Sequence, residues 1–468
     1  MNKKVHLRSL GCPKNRVDSE VMVGKLLAED FELVDDPAEA SVIVVNTCSF
    51  IQPATEESVE TVLEMAGMKT TGKCETLVVT GCMVQRYGKA LEGELPEVDA
   101  FLGTGEYHRI TEVLTARGDK PPISHIDVPL YIADELAPRV NSWSKASAYL
   151  KISEGCDHRC AFCIIPTLRG KLRSRTIESL VAEATRLGDE GVVELNLVSQ
   201  DSTAYGKDLK NGGLGPLMQA LSEVDKIRWI RLHYAYPHGI PAGFLEQLAH
   251  NPKVVRYLDI PLQHASGPVL KLMRRGVTRE GQERILERIH AAVPDLSVRT
   301  TFIVGFPGET DTDFDILCDF VEQQKFDHVG VFTYFQEDGT PAATLPNQVP
   351  EKVKKQRQAE LLKRQKAISK KRLQGLVGTV TPVLVEGTAE ESDLLLRGRA
   401  PFQAPDVDGQ VYLSDAPAGI QVGDIVPVRI VRAGDYDLVG EVLTSATRAP
   451  SRAGGRRAGA APPSGPTG

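Results

Sequence analysis

Short apolar runs alternate with amphipathic stretches over most of the chain. Val5-His6-Leu7-Arg8-Ser9-Leu10, Val42-Ile43-Val44-Val45 and Leu77-Val78-Val79 read as strands, and Asp18 to Leu27 and Thr55 to Met65 read as helices between them. Such alternation predicts a parallel sheet with helices on its faces over residues 1–140. Polar, Pro-containing sequence from Lys120 to Ser144 reads as the connection to a second unit. There the rhythm resumes, with strands predicted at Tyr149–Ile152, Val192–Val198, Trp229–Leu232, Val254–Ile260, Val298–Val304 and Val329–Phe335. Helical patterns such as Ile177–Leu187, Arg279–Ala292 and Thr312–Gln324 separate them. Six strands are fewer than the eight of a complete TIM barrel, so residues 141–350 are expected to form a partial (β/α)6 barrel or a wound open sheet.

Past that point the pattern changes twice. Residues 351–374 carry ten Lys or Arg against two Glu and are rich in good helix formers, which predicts an exposed basic helix. Between residues 375 and 445, Val-rich segments (Thr379–Val385, Asp424–Val431, Leu438–Leu443) are split by Gly, Pro and Asp, which predicts a small antiparallel β-barrel. The last residues, 446–468, are dominated by Arg, Gly, Ala and Pro and are expected to be disordered. The expected class is α/β with a small C-terminal barrel.

Composition narrows the class of protein. No apolar run approaches the roughly 18 residues of a spanning helix, so a membrane protein is not expected. Met1-Asn2-Lys3-Lys4-Val5-His6 lacks the apolar stretch of a signal peptide, so a cytoplasmic location is expected. In a reducing compartment the eight cysteines are read first as metal or catalytic groups. The net charge of −7 does not by itself suggest a nucleic-acid binder.

The cysteines carry the candidate chemistry. Cys156, Cys160 and Cys163 form a C-x3-C-x2-C loop after the first strand of the second unit, with no second pair nearby to complete a zinc site. Three thiolates on one loop suit three irons of a four-iron cluster, with the fourth iron open. Cys12, Cys48 and Cys82 are far apart in the chain, yet each follows a short strand: Ser9-Leu10-Gly11-Cys12, Val45-Asn46-Thr47-Cys48 and Val79-Thr80-Gly81-Cys82. Strand C-termini of a parallel sheet share one edge, so these three can converge on a second cluster; three coincidental strand-end cysteines are the alternative. Gly11 and Gly81 would let the backbone turn close to a cofactor. Cys318 has helical spacing with Phe314, Leu317 and Val321 and reads as core, and Cys74 precedes a strand; neither is assigned to a cluster.

The two triplets in this order resemble the methylthiotransferase family of radical SAM enzymes, over about Val5 to Leu443. The resemblance implies an N-terminal domain with an auxiliary cluster on Cys12, Cys48 and Cys82. It implies a radical SAM partial barrel with a cluster on Cys156, Cys160 and Cys163 that binds S-adenosylmethionine, and a C-terminal TRAM β-barrel. The expected cofactors are therefore two 4Fe-4S clusters and S-adenosylmethionine, with an electron donor as partner. Ser9-Leu10-Gly11-Cys12-Pro13-Lys14-Asn15 with Val17-Asp18-Ser19-Glu20, and Asp259-Ile260-Pro261-Leu262-Gln263-His264-Ala265, resemble the branch that methylthiolates an aspartate of the twelfth small-subunit ribosomal protein. So do Glu194-Leu195-Asn196-Leu197, Gln200-Asp201 and Arg299-Thr300-Thr301-Phe302-Ile303-Val304-Gly305-Phe306-Pro307-Gly308-Glu309. Ser49 and Asp157 stand where that branch has Gly and Asn, and neither is a ligand position. The implied chemistry is cleavage of the sulfonium, hydrogen abstraction from the aspartate β-carbon by the resulting radical, and capture of a methylated sulfur.

Further site residues follow from position. Phe162 resembles the superfamily aromatic beside the adenine, with plain packing as the alternative. Gly305 resembles the motif passing the nucleoside, and Gln200 ends the second barrel strand, where it could face the cofactor. Arg169, Lys171, Arg173 and Arg175 alternate, so an extended segment would put them on one face to hold a carboxylate, with a solvated basic loop as the alternative. Charge bears on the partner as well. Residues 375–445 hold eleven Asp or Glu against four Arg and no Lys, which would repel tRNA phosphates and attract a basic ribosomal protein. The basic segment 351–374 leaves direct RNA contact open as a secondary role. A tRNA adenosine methylthiotransferase and a non-catalytic iron–sulfur protein are the competing readings. The second would bind iron without cleaving S-adenosylmethionine.

Overall fold

The computed structural model describes residues 3–115, 123–210, 212–390 and 392–443, so the expected tail 446–468 lies outside the described residues. The first sheet contains β1 (Lys4–Ser9), β2 (Glu32–Leu33), β3 (Val42–Thr47), β4 (Thr76–Gly81), β5 (Ala100–Leu102) and β6 (Ile123–His125). Their order is β2-β1-β3-β4-β5-β6, and every neighbouring pair is parallel. β3 is buried at all six positions because helices cover both faces. Val42 and Val44 pack with Val21, Met22 and Leu26 on one side, and Ile43 and Val45 with Val62, Met65 and Met83 on the other. The sequence pattern missed β2, β5 and β6; β6 begins inside the stretch read as a connection.

The second sheet holds β7 (Ser147–Lys151), β10 (Glu194–Val198), β11 (Trp229–Leu232), β12 (Val254–Asp259), β13 (Ser297–Val304) and β14 (His328–Thr333), while β8 (Ser153–Glu154) and β9 (Arg173–Ser174) form a separate short antiparallel pair. All six strands run parallel in the order β14-β13-β12-β11-β10-β7. Alternation along each strand divides the residues. Ala148, Leu150, Leu195, Leu197, Ile230, Leu232, Leu258 and Val298 join the large helix-facing core. Tyr149, Lys151, Glu194, Asn196, Arg231, His233, Tyr257 and Asp259 are buried on the opposite, concave face. The barrel thus presents a polar, dry interior rather than a filled apolar one.

The C-terminal strands β15 (Val380–Ala389), β16 (Ser392–Arg399), β17 (Val411–Ser414), β18 (Ile425–Ala433) and β19 (Leu438–Val442) close into a barrel in the order β15-β16-β17-β19-β18. It is not wholly antiparallel, because β17 and β19 pair in parallel. Its loop between β16 and β17 enters the concave face of the second sheet. Asp408 accepts from the Tyr257 hydroxyl at 2.8 Å and the Arg299 guanidinium at 2.7 Å, Tyr149 donates to Asp406 at 3.0 Å, and Arg231 donates to the Pro401 carbonyl at 2.7 Å. Arg399 pairs with Glu194 and Glu386.

Helix Glu351–Gln374 forms as expected, but it is not simply exposed. Lys354, Arg357, Leu361, Gln365, Ser369 and Leu373 form a buried stripe, all but two of them polar. The polar heads are satisfied by backbone: Lys354 donates to the Tyr334 carbonyl at 2.7 Å and Gln365 to the Phe326 carbonyl at 2.8 Å, while Arg357 pairs with Glu309. On the solvent side, Lys366 and Lys370 both pair with Asp435 of the small barrel. Part of the barrel's acidity is therefore matched inside the chain, which weakens charge as a guide to its partner. No helix of the described residues is long and apolar enough to cross a membrane.

Candidate active site

Both cysteine groups lie at the C-terminal ends of parallel strands. Cys12 caps helix Pro13–Ala28 after β1, Cys48 follows β3, and Cys82 opens helix Cys82–Tyr87 after β4. β1 and β3 flank the point where the strand order reverses, the usual ligand crevice of such sheets. The local geometry depends on glycine. Gly11 has φ +86°, and a Cβ there would lie 2.8 Å from Cys48 Cβ and 3.0 Å from its Sγ. Gly81 has φ +98°, with a would-be Cβ 2.6 Å from the Thr47 carbonyl oxygen. Ser58 fixes Cys48 from both sides, accepting from its N–H at 3.0 Å and donating to its carbonyl at 2.7 Å.

Cys156, Cys160 and Cys163 occupy the loop beyond β8. The Cys156 N–H donates to the Gly170 carbonyl at 3.0 Å and the Cys163 N–H to that of Cys160 at 3.2 Å. Arg275 donates to Cys160 Sγ at 3.4 Å and to the Pro261 carbonyl at 2.7 Å. His158 stacks on Tyr236 with ring centres 3.7 Å apart and bonds Asp201 at 2.7 Å. All eight cysteines are free thiols. Burial pushes the Cys82 and Cys163 thiols up to about 12 and Cys156 to about 11. Buried thiols of this kind become good ligands only when a metal displaces the proton. Among the described residues no group of three His, Cys, Asp or Glu is set to hold a single metal ion. An iron–sulfur cubane asks for something different, since each thiolate binds its own iron and the donors stand farther apart.

A short helix joins the two groups. Ile164 and Leu168, just past Cys163, pack on Cys82. Arg169 ends that helix, fully buried, and reaches Cys82 Sγ at 3.7 Å, Asn15 Oδ1 at 2.7 Å, Asp18 at 2.7 Å and Glu154 at 3.2 Å. Lys151 pairs with the same Asp18 and, at 2.7 Å, with Glu154. Gln200 donates to Glu154, while its Oε1 has no partner. The charged network of Asp18, Arg169, Lys151 and Glu154, extended by Gln200 from Glu154, thus spans both sheets between the two thiol groups. Burial pushes the Glu154 carboxyl up, but Lys151 and Arg169 pull harder and hold it at about 2.

Other expected positions resolve as follows. Phe162 is half-buried and packs with Val269, Met273, Phe306 and Tyr334. Gly305, at φ +72°, lets helix Glu351–Gln374 approach, since a Cβ there would fall 2.3 Å from Lys354 Cγ. The expected single basic face does not form. Arg169 ends a helix, Arg175 is buried against Glu183, Arg173 donates to the Arg169 and Lys171 carbonyls, and Lys171 is exposed. Gly170, at φ +72°, breaks the extended run that alternation required. Cys318 is in the main core and Cys74 is buried in the first domain's core, apart from both groups. A cleft of about 330 Å³ lined by Ser297, His328 and Arg372 lies at the strands' N-terminal ends, away from the thiols. Sequence reasoning missed Lys151, Glu154, Asp201 and Arg275. Lys151 reaches Asp18 133 residues away and Arg275 reaches Cys160 115 residues away, contacts that no local pattern marks.

Polar atoms without partners collect at the strand C-termini: Ser153 Oγ, Gln200 Oε1, Asp259 Oδ1, Gln263 Oε1 and Tyr334 OH. These atoms and the Cys156 loop share the mouth of the second sheet, the C-terminal ends of its strands. The fold and this mouth define a radical SAM enzyme: residues 150–321 match the radical SAM superfamily model, residues 4–103 the uncharacterized protein family UPF0004 and residues 377–443 the TRAM domain. The chain is 50% identical to ribosomal protein uS12 methylthiotransferase RimO of Pelobacter propionicus, covering 94% of this chain and 98% of that protein. It is 52% identical to the RimO of Myxococcus xanthus, covering 94% and 92%. It belongs to the RimO family of radical SAM methylthiotransferases. Among solved structures, the radical S-adenosylmethionine methyltransferase TsrM of Kitasatospora setae, with cobalamin and a 4Fe-4S cluster bound, shares the fold at 16% identity and TM-score 0.51 over 73% of this chain and 74% of that one.

Proposed function

We propose that this protein adds a methylthio group to the β-carbon of an aspartate in ribosomal protein uS12, using S-adenosylmethionine and two 4Fe-4S clusters. The supporting observation is the pairing of two thiol triplets across one buried charged chain, in a sequence about half identical to RimO proteins. Cys156, Cys160 and Cys163 would hold the cluster that binds S-adenosylmethionine, with Phe162, Gln200 and Gly305 around it. Cys12, Cys48 and Cys82 would hold the auxiliary cluster. The donor sets fit: each offers three thiols to a four-iron group, and in each an arginine N–H is aimed at a sulfur, as an anionic sulfur requires. The same reading divides the chain into residues 1–140, 141–350, 351–374 and 375–445, and the ribosomal substrate makes the reaction cytoplasmic.

When bound, the cluster on the Cys156 loop supplies the electron for reductive cleavage of S-adenosylmethionine, a chemistry able to break an unactivated C–H bond. The chain's own groups prepare for that. Arg275 steadies the Cys160 sulfur, Asp201 and Tyr236 fix His158 at the loop, and Glu154 orients the Gln200 amide toward the mouth. The buried concave face would keep water from the reacting groups.

The test is anaerobic reconstitution with S-adenosylmethionine and a low-potential reductant, offering uS12 and, separately, unmodified tRNA. Intact mass should rise by one methylthio group on an aspartate of uS12. Gain on tRNA alone would overturn the substrate assignment.

A further inference from the structure

Lys14 is a buried charge that the site described so far leaves unused. It lies on the first turn of helix Pro13–Ala28, two residues after Cys12, and is 9% exposed. Its Nζ stands 3.5 Å from the centre of the Tyr234 ring. The ion pairs of this region are Lys151 with Asp18 and Glu154, and Arg169 with the same two acids. Among the described residues none includes Lys14. Two carboxylates thus answer two cations, and Lys14 is a third cation in excess. Asp259, the other acid nearby, is held by the Tyr234 N–H at 3.3 Å and forms no ion pair with it.

The surroundings are dry. Val17, Tyr149 and Val198 form a buried apolar cluster, and Trp143 and Tyr234 pack against it. An ammonium buried here on an aromatic face, with no carboxylate partner among the described residues, is placed to meet an anion that arrives later. Tyr234 is held at φ +61°, a strained conformation for a residue with a Cβ and one often found at functional sites. Three anions can arrive near here: the substrate carboxylate, the carboxylate of S-adenosylmethionine and the auxiliary cluster itself. Lys14 stands two residues from Cys12 and on the Tyr234 ring, not on the Cys156 loop where S-adenosylmethionine would bind.

We propose that Lys14, with the Tyr234 ring as its floor, binds the side-chain carboxylate of the substrate aspartate and so selects an acidic side chain over a neutral one. This rests on the reading of uS12 as substrate. A cation beside Cys12 would hold the carboxylate so that the adjacent β-carbon faces the space between the two thiol groups. A nucleobase offers no such carboxylate, so the same cation disfavours it.

The test uses the full-length reconstituted enzyme and two fluorescent peptides of uS12, one with the target aspartate and one with asparagine in its place. Binding is read by anisotropy, and iron per chain is counted for each variant. Wild type should prefer the aspartate peptide by about tenfold or more, the worth of a charge-assisted hydrogen bond. Lys14→Met should lose that preference while keeping its iron, and Lys14→Arg should keep the preference. A Lys14→Met variant that still prefers aspartate would overturn the proposal. Lost iron with the preference intact would assign the charge to the cluster instead. A wild type that binds tRNA and neither peptide would remove the substrate reading, and the Lys14 proposal with it.

Discussion

Glu154 sits between the two thiol groups, and its charge can be removed with little change in shape. In Glu154→Gln, Asp18 alone would answer Lys151 and Arg169, leaving one positive charge uncompensated in a site where all four side chains are at most 5% exposed. The size of the effect follows from the carboxyl's own titration. It is held at about 2 against an ordinary 4.5, which corresponds to about 3 kcal/mol in favour of the folded state. Breaking one partner out of a buried pair costs about 3–5 kcal/mol in other proteins, so the two routes agree. Because folding lowers this pKa, the stabilisation is complete above about pH 4.5 and fades as pH falls toward 2. The variant should therefore be about 3 kcal/mol less stable than wild type at pH 7.5 and about 2 kcal/mol less at pH 3.5. The assay is urea unfolding followed by tryptophan fluorescence; Trp143 stacks on Tyr149 beside this network and reports its loss. A gap below about 1 kcal/mol at pH 7.5, or one unchanged by pH, would refute the reasoning.

Cys160→Ala should abolish cleavage of S-adenosylmethionine, read as 5′-deoxyadenosine by chromatography; retained cleavage would sink the assignment of the Cys156 loop. Replacing Cys12, Cys48 and Cys82 together by alanine should lower reconstituted iron from about eight to about four per chain while leaving that cleavage in place. Gly11→Ala forces a side chain to φ +86° and to 2.8 Å from Cys48 Cβ, so it should cost about 1–3 kcal/mol by thermal unfolding and also lower the iron count. Burial raises the Asp259 carboxyl to about 6, so its folded form holds a proton that the unfolded chain releases near 3.8, and stability from this group falls as pH rises through 6. Asp259→Asn should accordingly match wild type near pH 4 and exceed it by about 2–3 kcal/mol at pH 7.5 in the same urea assay.

Much of this molecule was legible in the chain itself, and what was legible was local. The runs Val42–Val45 and Trp229–Leu232 announce strands because side-chain alternation and burial act over a few residues, and both appear where the pattern puts them. The thiols could be grouped because each follows a strand, and parallel strands end on one edge. Only the tertiary structure decided the rest. It turned the basic segment 351–374 into a half-buried helix, because Tyr334 and Phe326 carbonyls wait for Lys354 and Gln365. It broke the Arg169–Arg175 alternation at Gly170 and sent Arg169 inward to Asp18, 151 residues away. It also left Lys14 without a carboxylate partner among the described residues. Periodicity is a property of neighbours along the chain and can be read there. Charge pairing in a dry interior depends on which distant strand ends the topology brings together, and no local pattern records that.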